Sequence, residues 1–187
     1  MATSIYQCSP ALDVCLRQGE ILSGLIRFTL DPTKIGESEP SVVRVEYPYA
    51  VVLSQACDLE QDFRGRQEGK PPQLPDVLFC QLPTAQDLKA SCPSPDIWKR
   101  VKQNKDERYH FLENIPLDCD RAGAGIPELG IDFKRYFTLP TTEVYQWLKR
   151  GDTQRRSVIC SPYLEHLSSR FAYFLSRVGL PHDHVSE

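Results

Sequence analysis

The stretch from Tyr47 to Leu59, YPYAVVLSQACDL, constrains the fold of this chain more than any other. It holds an apolar run as long as any in the sequence, with Ala50, Val51, Val52 and Leu53 as an unbroken aliphatic block. Pro48 bounds the block on one side and Ser54, Gln55, Cys57 and Asp58 on the other. A run this short and this rich in valine predicts a strand buried on both faces and not a helix segment. Pro48 has no amide to give to a ladder, which places it at the first residue of the strand. The polar residues after Leu53 then emerge together at the strand's end, where a rigid sheet commonly holds loops that bind or react.

A chain of 187 residues is one domain, or a domain with an appendage, and is long enough to bury a core. No stretch approaches the 18 or so consecutive apolar residues of a membrane span. The first residues, MATSIYQCSPALDVCLRQGE, have no basic segment followed by an apolar one, so they do not read as a secretory signal. The cytoplasm is the expected compartment. The seven cysteines stand at 8, 15, 57, 80, 92, 119 and 160 without a C-x-x-C pair. Structural zinc sites usually bring their ligands in close pairs. The histidines at 110, 166, 182 and 184 add no such spacing outside the C-terminal tail. No metal and no cofactor is therefore expected; free thiols are, with Cys57, Cys80 and Cys160 as small apolar residues in or near strands.

A net charge of −3 argues against a surface that grips nucleic acid all over. The charge is uneven, however. From Lys134 to Arg177 eight Lys or Arg stand against Glu143, Asp152 and Glu165, and Lys99, Arg100, Lys102, Lys105 and Arg108 form a second basic cluster. Such patches can hold phosphates despite an acidic total, although a solvated face is the plainer reading.

Along the chain, residues 1–18 read as an irregular or short helical lead-in. Ile21–Thr29 reads as a strand, with Gly24 marking a bulge or sharp bend. Residues 31–40, with Asp31-Pro32 and Gly36, read as an exposed loop. Residues 60–75, polar and rich in Gly and Pro, read as a mobile loop, and DVLFCQL at 76–82 as another strand. Ser94-Pro95 starts a helix around Ile97, Trp98 and Val101. Residues 107–112 and 130–139 read as strands, and 116–130 as loop. Thr141-Thr142-Glu143 caps a short helix closed by Gly151, and Arg155–Cys160 is one more strand. Ser161-Pro162 begins the clearest helix, about 162–178. Leu164, Leu167, Phe171, Phe174, Leu175 and Val178 form its apolar face, and Gly179 and Pro181 stop it. His166, Arg170, Tyr173 and Arg177 align on another face. Short strands, Gly/Pro loops and terminal helices together predict a mainly β (α+β) chain, a compact and partly open barrel with helices packed on it.

Three segments carry a family resemblance: GEI at 19–21, DPTKIGESEP at 31–40 and YPYAVVLSQ at 47–55. Together they resemble the opening of the MazF/PemK toxins. In those small SH3-like barrels a G-D/E-I strand is followed by a D-P…G-S-E loop, an R-P pair and a V-V-V-L-S strand. DVLFCQLPT at 76–84 is similar to the family's later strand, which ends in P-T or P-x-T. The resemblance covers about the first 85 residues. It implies a partly open SH3-like barrel over 1–140, with 141–187 as a helical extension packed on it.

The resemblance also implies metal-independent cleavage of single-stranded RNA, using the arginine of the R-P pair and a threonine or serine after the later strand. Here Tyr47 holds the arginine position and Thr84 the threonine position. Losing a cation that stabilises transition-state charge costs roughly 10²–10³ in rate. Arg44 lies three residues before Tyr47, an odd offset that turns its side chain to the other face unless Pro48 or a bulge resets the register. The leading expectation is a non-catalytic module of a bacterial stress or defence system. It binds a protein partner encoded nearby through some of Tyr47, Ser54, Gln55, His166, Arg170, Tyr173 and Arg177. The alternatives are a divergent endoribonuclease using Thr84, Asp58 and Arg44 or Arg27, and a nucleic-acid-binding module using the 134–177 region. Cys57 is a candidate nucleophile only with a histidine in reach, and His110 is the one histidine outside the C-terminal region. A buried cysteine beside a loop-capping aspartate is the simpler account.

Overall fold

The valine-rich block lies at the centre of an antiparallel sheet. The computed structural model describes residues 5–177 apart from 12, 37 and 40. Its strands are β1 (Tyr6–Cys8), β2 (Glu20–Leu30), β3 (Val42–Val52), β4 (Asp76–Gln81), β5 (Tyr109–Leu112), β6 (Leu129–Asp132), β7 (Tyr136–Pro140) and β8 (Gln154–Ile159). The helices are α1 (Ala56–Gln67), α2 (Ala85–Ser91), α3 (Pro95–Lys102), α4 (Thr141–Arg150) and α5 (Tyr163–Ser176). Six strands pair in the order β1-β8-β2-β3-β4-β7, and β5 pairs with β6 in a small second sheet. The second sheet hangs on the chain leaving β4, through a Thr84–Leu129 bridge and a bond from Gly130 N to Pro83 O (3.0 Å). The α+β class stands. The six-stranded ladder ends at β1 and β7 and does not close on itself.

Ala50, Val51 and Val52 have no solvent exposure, and alternate residues enter two different cores. Val51 joins Ile21, Cys80, Ile159, Phe133 and the α5 residues Leu167 and Phe171. Ala50 and Val52 join Leu22, Phe79, Leu59 of α1, and Val144 and Leu148 of α4. Helices on both sheet faces are what let a strand be apolar throughout. Full burial of a valine, leucine, isoleucine or phenylalanine side chain in these cores contributes about 1.5–3 kcal/mol. The last quarter of the chain supplies β8 as an inner strand between β1 and β2, in addition to its two helices.

Several local expectations are corrected. Pro48 is not the first residue of its strand; it sits inside β3, opposite Gly24, at the one step missing from the β2–β3 register. Gly24 has a positive φ of 71°, and there the ribbon turns over. Tyr49 packs with the first core and Tyr47, two residues earlier, with the second, against simple alternation. Residues 60–75 are not a loop throughout, because α1 runs to Gln67. Its anchor is Asp62, whose buried carboxylate accepts from Gln73 N (2.8 Å), Leu74 N (2.9 Å) and Arg66 Nε (2.5 Å). Residues 130–139 are two strands, split by a 3-10 turn at Phe133–Arg135. The lead-in contains β1, paired with β8. Pro162, not a side-chain cap from Ser161, precedes α5, and Leu175 is exposed on that helix. Val178, Gly179, Pro181, His182 and His184 lie outside the described residues.

Candidate functional site

The proposed catalytic groups are held in three separate places. Arg44 is exposed on β3 and pairs with Glu46 at 3.3 Å. Asp58 is exposed in the first turn of α1, beyond the other end of β3. The strand from Arg44 to Val52 is about 26 Å long at the usual rise per residue. Thr84 is the N-cap of α2, its hydroxyl accepting from Asp87 N (3.2 Å) and donating to Asp87 Oδ2 (2.6 Å). Thr84, Asp58 and Arg44 are thus not brought together. Tyr47 is stacked on Phe137, rings 4.1 Å apart and 10° from parallel.

The other residues of the 54–58 segment are mostly committed to structure. Ser54 Oγ accepts from Leu78 N (2.8 Å), tying the end of β3 to β4. Gln55 precedes α1 and is exposed. Cys57 is exposed on α1 and not buried in a strand, with its Sγ 3.6 Å from both Gln55 Oε1 and Asp58 Oδ1. Cys80 is the buried one, its thiol pushed up to about 12 by burial, with Asp132 adding to the shift. Cys160 is partly exposed just after β8.

His110 belongs to a different constellation, which its sequence position did not reveal. It is buried in β5, with its ring 5.5 Å from that of His166 on α5. Burial, then Arg170 and His166, push the His110 imidazole down to about 3, so it is neutral. His110 Nδ1 and Arg170 Nε are buried without a hydrogen-bond partner. Beside His110 is a cavity of about 100 Å³, lined in part by Tyr6, Lys102, His110, Glu113, Tyr163 and His166. The aligned face of α5 is partly used by the fold. Arg170 donates to the carbonyls of Asp106 and Tyr109, and Arg177 lies 3.5 Å from Glu107, while Tyr173 remains exposed.

The basic patches are also thinned. Arg155 pairs with Glu20 and Arg156 with Asp120, all buried, and Arg108 holds Asp132 through two bonds of 2.8 and 2.5 Å. Burial, the largest single influence, raises the Asp132 carboxyl, but the Arg108 bonds, the Lys134 amide and the charges of Arg108 and Arg135 together leave the pKa lowered. Among the described residues no group of three His, Cys, Asp or Glu could hold a metal ion, and no helix is long and apolar enough to cross a membrane.

What the fold leaves uncovered is the far half of the β2–β3 ribbon. β8 pairs with β2 only as far as Ser23, and β4 pairs with β3 only from Ala50. Beyond those points, among the described residues, the two strands pair with each other alone, from Leu25–Tyr47 out to Leu30–Val42. Directly opposed residues share a face, so Ile26, Phe28, Leu30, Val42, Arg44 and Glu46 lie on one side. On that side Phe28, Leu30 and Val42 are 58%, 55% and 60% exposed, and Ile35 in the loop beyond is 74% exposed. Single exposed apolar residues are ordinary, but a contiguous group marks a contact surface. Compared with known proteins, the sequence matches no family model and no curated relative.

Proposed function

We propose that this chain is a non-catalytic binding module on a small, partly open barrel of the MazF/PemK kind, with its β2–β3 ribbon as the contact surface for a protein partner. The barrel reading is supported by the continuation of the six-stranded ladder through residues 83–85 onto β6 and β5, around the core of Ile21, Val51, Leu129 and Phe133. The single observation that carries the binding reading is the apolar face of Phe28, Leu30 and Val42 on a stretch of ribbon that, among the described residues, no other strand flanks. Tyr47 in place of the family's arginine, stacked in the fold, supports the absence of catalysis. The resemblance suggests a bacterial stress or defence setting, a cytoplasmic protein, and a partner encoded nearby.

The test combines two measurements. Purified chain with mixed single-stranded RNA at low salt is expected to give no discrete cleavage. Co-expression with the neighbouring gene's product is expected to give a complex that Phe28→Asp with Leu30→Asp dissolves. Discrete cleavage lost on Thr84→Ala or Arg44→Ala would replace this reading with the endoribonuclease. Binding to RNA without cleavage, weakening steeply with salt, would replace it with the nucleic-acid module.

A further inference from the structure

We infer that the outer edge of β3 pairs with the same edge of a second copy of this chain, antiparallel and two-fold, centred on Val45. The edge is available. Among the described residues no strand pairs with 42–47 on the side away from β2. The main-chain groups there point the right way. Val52 O accepts from Gly19 N on the β2 side (2.9 Å), and Tyr49 O from Leu82 N on the β4 side (3.0 Å). Past Pro48, where the ribbon turns over, the direction exchanges: Ser41 O accepts from Asp31 N across the ribbon (2.9 Å), so Ser41, Val43, Val45 and Tyr47 turn their main-chain groups toward β2 and Val42, Arg44 and Glu46 turn theirs outward. A row of unpaired amides and carbonyls of this kind is a template for another strand.

Charge then selects the partner and the register. In a two-fold antiparallel pairing the central residue meets its own counterpart, and its two neighbours meet each other crosswise. Centred on Arg44, the pairing sets guanidinium against guanidinium; centred on Glu46, carboxylate against carboxylate. Centred on Val45, each Arg44 faces the other copy's Glu46, twice over, and these opposed residues exchange main-chain hydrogen bonds. Arg-Val-Glu is therefore self-complementary. The free edge of β2, from Ile26 to Leu30, has Arg27 but no acid, and offers no such match. Within one copy Arg44 and Glu46 already lie on one face, 3.3 Å apart, with 57% and 56% of their side chains exposed. An exposed pair of this kind contributes little alone and is free to re-pair.

The dimer goes beyond the protein-partner reading and stands or falls separately from it. It would double the apolar face, setting Phe28, Leu30 and Val42 of both copies on one four-stranded ribbon. The test is sedimentation velocity across protein concentration, with circular dichroism to confirm folding. The unmodified chain is expected to dimerise. Arg44→Glu and Glu46→Arg alone each set like charges in opposition and raise the dissociation constant about tenfold or more. The double exchange Arg44→Glu with Glu46→Arg restores the dimer. A chain monomeric at every concentration overturns the inference, as does a dimer indifferent to both single reversals. Neither result bears on whether Phe28 and Leu30 hold a different protein.

Discussion

Arg155 of β8 and Glu20 of β2 face each other inside the protein with no exposure of either side chain, joined by bonds of 2.5 and 2.7 Å. The remaining donors of the same guanidinium reach the carbonyls of Ala11 (2.8 Å), Val14 (2.9 Å) and Cys15 (2.9 Å). One side chain thus ties the segment before β2 to the sheet. Only the fork of an arginine satisfies so many acceptors at once. Arg155→Ala strands a buried carboxylate and is expected to cost about 3–5 kcal/mol in urea unfolding. Replacing both partners by methionine is expected to recover part of that loss, because the stranded charge goes too. A loss below about 1 kcal/mol for Arg155→Ala would show that the pair is not holding the segment.

Thr84 offers a direct separation of structure from chemistry. As the cap of α2, Thr84→Ala is expected to cost about 1 kcal/mol, and Thr84→Ser to restore most of it. Thermal unfolding of the three forms checks this. Equal stability in all three would mean that the hydroxyl is not needed as a cap.

Gly24 and Asp152 approach too closely to admit a side chain. A Cβ on Gly24 would lie 2.8 Å from Asp152 O, a backbone atom, and the φ of 71° disfavours any other residue. Gly24→Ala is expected to destabilise by about 1–3 kcal/mol, read by denaturant titration. Its effect should exceed that of Gly151→Ala, since nothing lies within 4 Å of a Cβ there.

What could be read in the sequence follows from how local each signal is. The 50–53 block is apolar at every position, so two-sided burial needed no partner to be known. Ser94 was readable as a cap because its bond to Ile97 N (3.3 Å) spans only three residues. α1 was not readable, because much of its anchoring comes from bonds between Asp62 and Gln73 and Leu74, beyond the helix. The split of 130–139 depends on Asp132, whose carboxylate accepts from Lys134 N (3.1 Å) and from the distant Arg108. Of the candidate site, the α5 alignment was legible from spacing alone. The meeting of His110 with His166 was not, because β5 and α5 are far apart in the chain.

His110 makes the protein's stability depend on pH in a definite direction. Its folded value of about 3 lies well below the unfolded value of about 6.5, the shift coming from burial first and then from Arg170 and His166. Between those two values the unfolded chain holds a proton that the folded one refuses. Stability from this group is therefore fully present above about pH 6.5 and falls as the pH drops toward 3. The slope for one proton is at most about 1.4 kcal/mol per pH unit. Urea unfolding at pH 7.5, 6 and 5 should show that decline above the range where carboxylates titrate. His110→Phe, which keeps an aromatic ring beside Phe133, should flatten it. His166 is exposed, and its imidazole is lowered by burial and by Arg170, so His166→Gln should change the slope less. If His110→Phe and the unmodified chain declined in parallel, the acid sensitivity would belong to other groups and His110 would not be held neutral by its surroundings.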